Sequence, residues 1–158
     1  MTLIIVAIVV VLAVILLLLL LSRRKRIQTQ SAWRRAVFPA VSDAHLARDA
    51  LLSANAMSDD PELRGSVEVQ VDRSARALEQ AALTAPDEAT QSATNSVARS
   101  LRGLAFAVEA DRLLRHGAGA PTGTQLAEAD DARRSRLAEL DSSLAGLSAR
   151  LGAPSSRR

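Results

Sequence analysis

From Leu3 to Leu21 the chain contains nothing but Leu, Ile, Val and Ala. A stretch this apolar has few places to go. At about 1.5 Å of rise per residue it makes a helix roughly 28 Å long, close to the ~30 Å hydrocarbon core of a bilayer. In hydrocarbon every backbone N–H and C=O must be satisfied within the segment, which for a lone span means a helix. The sequence therefore predicts a transmembrane anchor over residues 1–21. The competing reading, a cleaved signal peptide, calls for a basic n-region, a shorter apolar core and a small-residue cleavage site. Here the run ends in poly-Leu followed by Ser22-Arg23-Arg24-Lys25-Arg26, with no A-x-A-like site.

Charge sets the expected orientation. Arg23, Arg24, Lys25, Arg26, Arg34 and Arg35 all follow the run, and the first acidic residue is Asp43. The positive-inside rule then puts the N-terminus outside and the rest in the cytoplasm. Arg carries nearly all the basic charge and Ala is abundant, a bias of GC-rich genomes that suggests a bacterial inner membrane. The six basic residues of segment 22–38 exceed the chain's net charge of +3. The remainder is net acidic, which argues against a nucleic-acid partner despite the high pI. Anionic lipid head groups account for the cluster better. Trp33 and Phe38, two of the three aromatic residues, fall in this basic juxtamembrane segment. Either they sit at the membrane interface beside the arginines, or they pack into the first helix of the following domain; both places reward a large ring.

Residues 39–151 read as a helical domain. Pro39 is expected to break the backbone after Phe38, with a helix restarting near Ser42 whose apolar residues include Leu46, Leu51 and Leu52. Asp60-Pro61-Glu62 is a helix start: a cap, a proline at the first position and an acid on the positive end of the dipole. The stripe Leu63, Val67, Val71, Ala75, Leu78 and Ala82 follows, to about Leu83. Val67-Glu68-Val69-Gln70-Val71 alternates like a strand, but its flanks are helical and helix is preferred. Pro86-Asp87-Glu88 starts a third helix, with Val97, Leu101, Leu104 and Val108 on one face, widened by Phe106, Leu113 and Leu114. Close approach of a neighbour would explain Gly103. After a Gly/Pro-rich loop, Thr122 or Thr124 caps the last helix. Leu126, Asp130, Arg133, Leu137, Leu140, Leu144, Leu147 and Leu151 form a heptad seam along it, with Asp130 and Arg133 at its solvated end. Residues 152–158 read as a frayed tail. The expected fold is all-α: one transmembrane helix followed by a three- or four-helix antiparallel bundle.

Catalytic chemistry finds little to work with. There is no Cys, the single Lys is Lys25, and no nucleophile elbow, S-x-x-K, Walker loop or dinucleotide fingerprint occurs. His45 and Asp49 share a helix face, but a metal site needs three or four ligands. His116 suits a helix C-terminus. The span holds no ionisable residue and no G-x-x-x-G face. The sequence thus predicts no enzyme, no cofactor and no metal. The leading expectation is an interaction or scaffold protein. Its partner, another protein or a second copy, would be met by the C-terminal helix through Leu137, Leu140, Leu144, Leu147 and Leu151, unless those leucines form the bundle core. The alternatives are a lipid-binding accessory protein acting through residues 22–38, and an enzyme with an unrecognised site. In layout the chain resembles bacterial single-pass proteins with helical cytoplasmic domains, such as the LemA-like and EzrA-like families. That resemblance is architectural and implies no residue role.

Overall fold

Capping chemistry sets the helix boundaries. In the structure, a computed structural model that describes residues 30–53, 60–116 and 119–152, four helices are present. They are α1 (residues 30–53), α2 (Pro61–Leu83), α3 (Glu88–His116) and α4 (Gly123–Gly152). Asp60 caps α2, its carboxylate accepting from the Glu62 amide at 2.9 Å, with Pro61 in the first turn. The Asp87 carboxylate accepts from the Thr90 amide at 2.7 Å at the start of α3. At α4, Thr122 and Gln125 form a reciprocal capping box: Thr122 Oγ1 accepts from the Gln125 amide and Gln125 Oε1 from the Thr122 amide. The alternating segment Val67–Val71 is helical, its Val67 and Val71 turned inward by packing that outweighs β-propensity.

Cross-helix contacts fix the arrangement. Arg102 meets Glu79, and Arg64 lies near enough to Glu109 to act on its charge, so α2 and α3 run antiparallel. Ser100 meets Ser143 at 3.2 Å and Asp111 faces Arg133, so α3 and α4 are antiparallel as well. The α1 helix closes the bundle against both outer helices. Near its start the Trp33 indole N–H donates to the Ala81 carbonyl of α2 at 2.8 Å. Near its end Arg48 forks onto Asp141 of α4, at 2.7 and 3.0 Å. The core between them is built from Trp33 and Val37, a run of α1 alanines, and Val71, Leu78, Val97, Leu101, Leu104, Leu140, Leu144 and Leu147. Where Thr94 enters it, the hydroxyl is satisfied by donating to the Thr90 carbonyl at 2.8 Å.

Several expectations are corrected. The α1 helix runs unbroken through Pro39, with no restart at Ser42. The amide missing at Pro39 would have bonded the Arg35 carbonyl; both residues lie on the outward face, where water reaches that carbonyl. On the opposite face Val37, Ala40, Val41 and Ala44 are buried and hold the helix on both sides of the proline. Leu63, Phe106 and Leu113, assigned inward, are exposed, at 45%, 78% and 57%. The inward stripes are narrower than the apolar residues imply, because alanines and small polar residues fill the remaining inward positions. Gly103 does not mark a close backbone approach: a β-carbon there would meet only the Arg136 side chain, at 3.6 Å. The predicted span over residues 1–21, the cluster Arg23, Arg24, Lys25 and Arg26, and the tail beyond Gly152 lie outside the described residues. Among the described residues no helix is long and apolar enough to cross a membrane.

Candidate functional site

The α4 seam is the natural place to look first, and its leucines belong to the core. Leu140, Leu144, Leu147 and Leu151 are buried, and Leu137 is partly buried against them. They face a seam of the same period on α3: Thr90, Thr94, Val97, Leu101, Leu104, Val108 and Asp111 are all buried. Two antiparallel heptad stripes therefore meet, leucine-rich in the middle and polar at one end.

That polar end is an ion cluster. Asp111 is fully buried. Its Oδ1 accepts from Arg115 Nε at 2.9 Å, while Oδ2 lies 3.9 Å from Arg133 Nε. Neither Oδ2 nor Arg133 Nε has a hydrogen-bond partner, although both are buried. Arg133 also donates to Asp130 at 2.5 Å, and Arg134 pairs with the other Asp130 oxygen. The hydrogen bond from Arg133, helped by the nearby charge of Arg134, holds the Asp130 carboxyl below the usual carboxylate range. Three guanidiniums around two carboxylates can neutralise, orient and hold helices in register. They supply neither a nucleophile nor a base with a proton to move. The position of Asp111 had a signal in the sequence: it continues the spacing of Val97, Leu101, Leu104 and Val108.

A second feature is concave. At the end of the bundle where α1 finishes and α2 begins, the helices leave a groove of about 480 Å³. Leu51, Val67 and Val108, all buried, belong to its lining, and Phe106 stands beside them with 78% of its surface exposed. Arg64, Glu68, Glu109 and Arg112 are the charged residues lining it. The Arg112 guanidinium, hydrogen-bonded at 2.8 and 3.0 Å, holds Glu109 below the ordinary carboxylate range. Leu113 lies seven residues beyond Phe106, on the same face of α3. Residues 54–59, which join α1 to α2, lie outside the described residues.

The juxtamembrane residues are divided between interior and surface. Trp33 is a core residue at 4% exposure, Arg34 is half-buried, and Arg35 and Phe38 are exposed, Phe38 at 64%. Arg34, Arg35, Phe38, Pro39 and Ser42 line a shallow, open hollow on α1. His45 is exposed, and Asp49 accepts from Arg48 at 2.8 Å. Among the described residues no three His, Cys, Asp or Glu side chains are grouped to hold a metal ion. No family model, no curated protein and no solved structure matches the chain.

Proposed function

We propose that the chain is a single-pass membrane protein that presents its helical bundle, on the cytoplasmic side of a bacterial inner membrane, as an interaction or scaffold module for another protein. The observation that carries this reading is the exposure of Phe106 beside the α1–α2–α3 groove, with Leu113 one heptad further along the same face. Large apolar side chains left in water beside a concave apolar surface are a common mark of a helix-in-groove contact. The groove's charges are mixed, with Arg64 and Arg112 against Glu68 and Glu109. Such a rim favours a partner segment carrying both signs of charge rather than a uniformly acidic or basic one. The membrane part of the proposal rests on the apolar run Leu3–Leu21 and the basic residues behind it.

The proposal assigns the partner contact to α3 rather than to the α4 leucines, since those are occupied inside the bundle. The test is site-specific photo-cross-linking of the full chain in its native membrane. A photoreactive residue at Leu113 should give a discrete adduct that disappears when Phe106 is changed to Ser. The same probe at Ala138, on the exposed face of α4, should give none. Identical adducts from the two positions, or an adduct indifferent to Phe106→Ser, would remove the basis for the reading. The lipid-binding reading is favoured by a different observation, the exposed Phe38 beside Arg35.

A further inference from the structure

We propose that the outward face of the first half of α1 is a lipid-binding surface that seats the bundle on an anionic leaflet. This rests on the membrane-anchor part of the function above and is independent of the α3 groove. The α1 helix has two unlike faces. Trp33, Val37, Ala40, Ala44 and Ala47 point inward and are buried. Opposite them Arg35, Phe38 and Ser42 are exposed, at the spacing of adjacent turns. An exposed aromatic ring flanked by arginines matches the chemistry of the headgroup boundary. The ring enters the acyl edge while the guanidiniums remain among phosphates.

Charge complementarity selects the occupant. Arg48, Arg76, Arg102, Arg112, Arg115, Arg133, Arg134 and Arg136 are each ion-paired with a carboxylate. Arg35, like Arg73, Arg99 and Arg150, is in no ion pair among the described residues; its Nε donates to the Ser31 carbonyl at 3.4 Å, and it alone of the four lies on the N-terminal helix. No acidic residue precedes Asp43, so no carboxylate lies within a turn of Arg35 on its own helix. Reach supplies the second argument. Between Leu21, where the apolar run ends, and Gln30, where α1 is first described, even a fully extended backbone covers only about 32 Å. An anchored chain cannot carry this face far from the bilayer, and Arg23, Arg24, Lys25 and Arg26 lie in between. Asp43 and Asp49 set the other limit. They are exposed further along α1, so contact is confined to the first half of the helix and the groove end tilts away from the lipid.

The test uses the full chain, which contains no Cys. A single spin label is placed by Ser42→Cys, or by Ser66→Cys on α2 as the control. The protein is reconstituted into phosphatidylcholine vesicles with or without phosphatidylglycerol. With phosphatidylglycerol, site 42 should gain accessibility to oxygen and lose accessibility to a water-soluble nickel chelate, while site 66 stays water-accessible. The combined change Arg35→Gln and Phe38→Ser should abolish that difference and leave the emission of buried Trp33 unchanged. If the chain resists alkaline extraction but site 42 remains as water-accessible as site 66, the docking proposal is overturned and the anchor stands. Equal lipid contact without phosphatidylglycerol would overturn the anionic recognition. Release of the chain by alkaline carbonate would overturn the anchor and the docking together.

Discussion

Changing Arg133 to Leu isolates the energetic role of the buried ion cluster. Asp111 has no exposed surface, and the Arg133 guanidinium reaches its Oδ2 only to 3.9 Å, without a hydrogen bond. At an effective dielectric near 20, a pair at that separation attracts by about 4 kcal/mol before solvation is counted. Losing it leaves a buried carboxylate served by Arg115 alone, whose side chain is 44% exposed. Breaking a buried pair from one side typically costs about 3–5 kcal/mol. The retained Arg115 and the extra leucine in the seam place Arg133→Leu at or slightly below the bottom of that range, about 2–3 kcal/mol. Asp111→Leu should cost less, about 1–2 kcal/mol. Arg133 keeps Asp130 at 2.5 Å, and Arg115 can turn to water. The double variant joins two leucines across the seam and should lie within about 1 kcal/mol of the parent, since apolar replacement of a whole buried pair is often neutral or stabilising. The assay is urea unfolding of the purified chain in a mild nonionic detergent, followed by the emission of Trp33. Urea is chosen over guanidinium because salt would screen the charges. If the single changes add to the double within about 0.5 kcal/mol, the two residues are not coupled and this account of the cluster is wrong.

Other outcomes follow from single contacts. Trp33→Phe keeps an aromatic ring but loses the bond to Ala81, and should lower stability by about 1–2 kcal/mol in the same urea experiment. Gly146 sits mid-helix in α4 with nothing within 4 Å of an added β-carbon, so Gly146→Ala should raise stability by about 1 kcal/mol, read as an upward shift of the melting temperature. Arg48→Lys should weaken the α1–α4 tie by about 1 kcal/mol, because an ammonium cannot reproduce the two-pronged contact with Asp141. Acid should also destabilise the fold. Arg102 holds Glu79 down, Arg112 holds Glu109 down and Arg133 holds Asp130 down, each chiefly by a hydrogen bond. Carboxyls depressed in the folded state bind more protons when unfolded, so their contribution is present above the unfolded values and is lost as pH falls through the folded ones. The urea midpoint should therefore decline below the ordinary glutamate value of about 4.5; a midpoint that rises on acidification would contradict the sign.

The parts of the fold that depend on local chemistry could be read from the chain. Asp60-Pro61-Glu62, Asp87 and Thr122 cap helices because their reach is to amides two or three residues away, a relation that sequence contains in full. The α4 leucines lie inward for a similar reason, since a 3–4 spacing defines a face whatever it touches. The errors came where the neighbour decides. Phe106 and Leu113 look like core by composition, yet the inward positions around them go to Leu104, Ala107, Val108 and Asp111. Pro39 carries a strong local signal for a break, but what mattered was that its lost bond faces water while the opposite face is packed. Asp111 is acidic and carries no apolar signal of its own. Its burial follows from α4 lying across it, and the cue was its place in the heptad rather than its charge. The groove beside Phe106 could not be read at all, because its lining comes from three helices whose relative placement no local pattern specifies.

The tie between α1 and its neighbours has a mechanical consequence. Its tie to α4 joins residues 93 positions apart, whereas Ser100 and Ser143, which tie α3 to α4, are 43 apart. Closing the α3–α4 hairpin therefore sacrifices less chain entropy, and it should form first, with α1 docking last. Ala40, Ala44 and Ala47 on the inner face of α1 each supply little buried area to resist separation. Tension entering the bundle from the N-terminal side consequently loads the joint that assembles last. Pulled from that side, α1 should peel away as the first rupture event while the remaining three helices stay together, and the dimming or red shift of Trp33 as it leaves Ala81 would mark the moment.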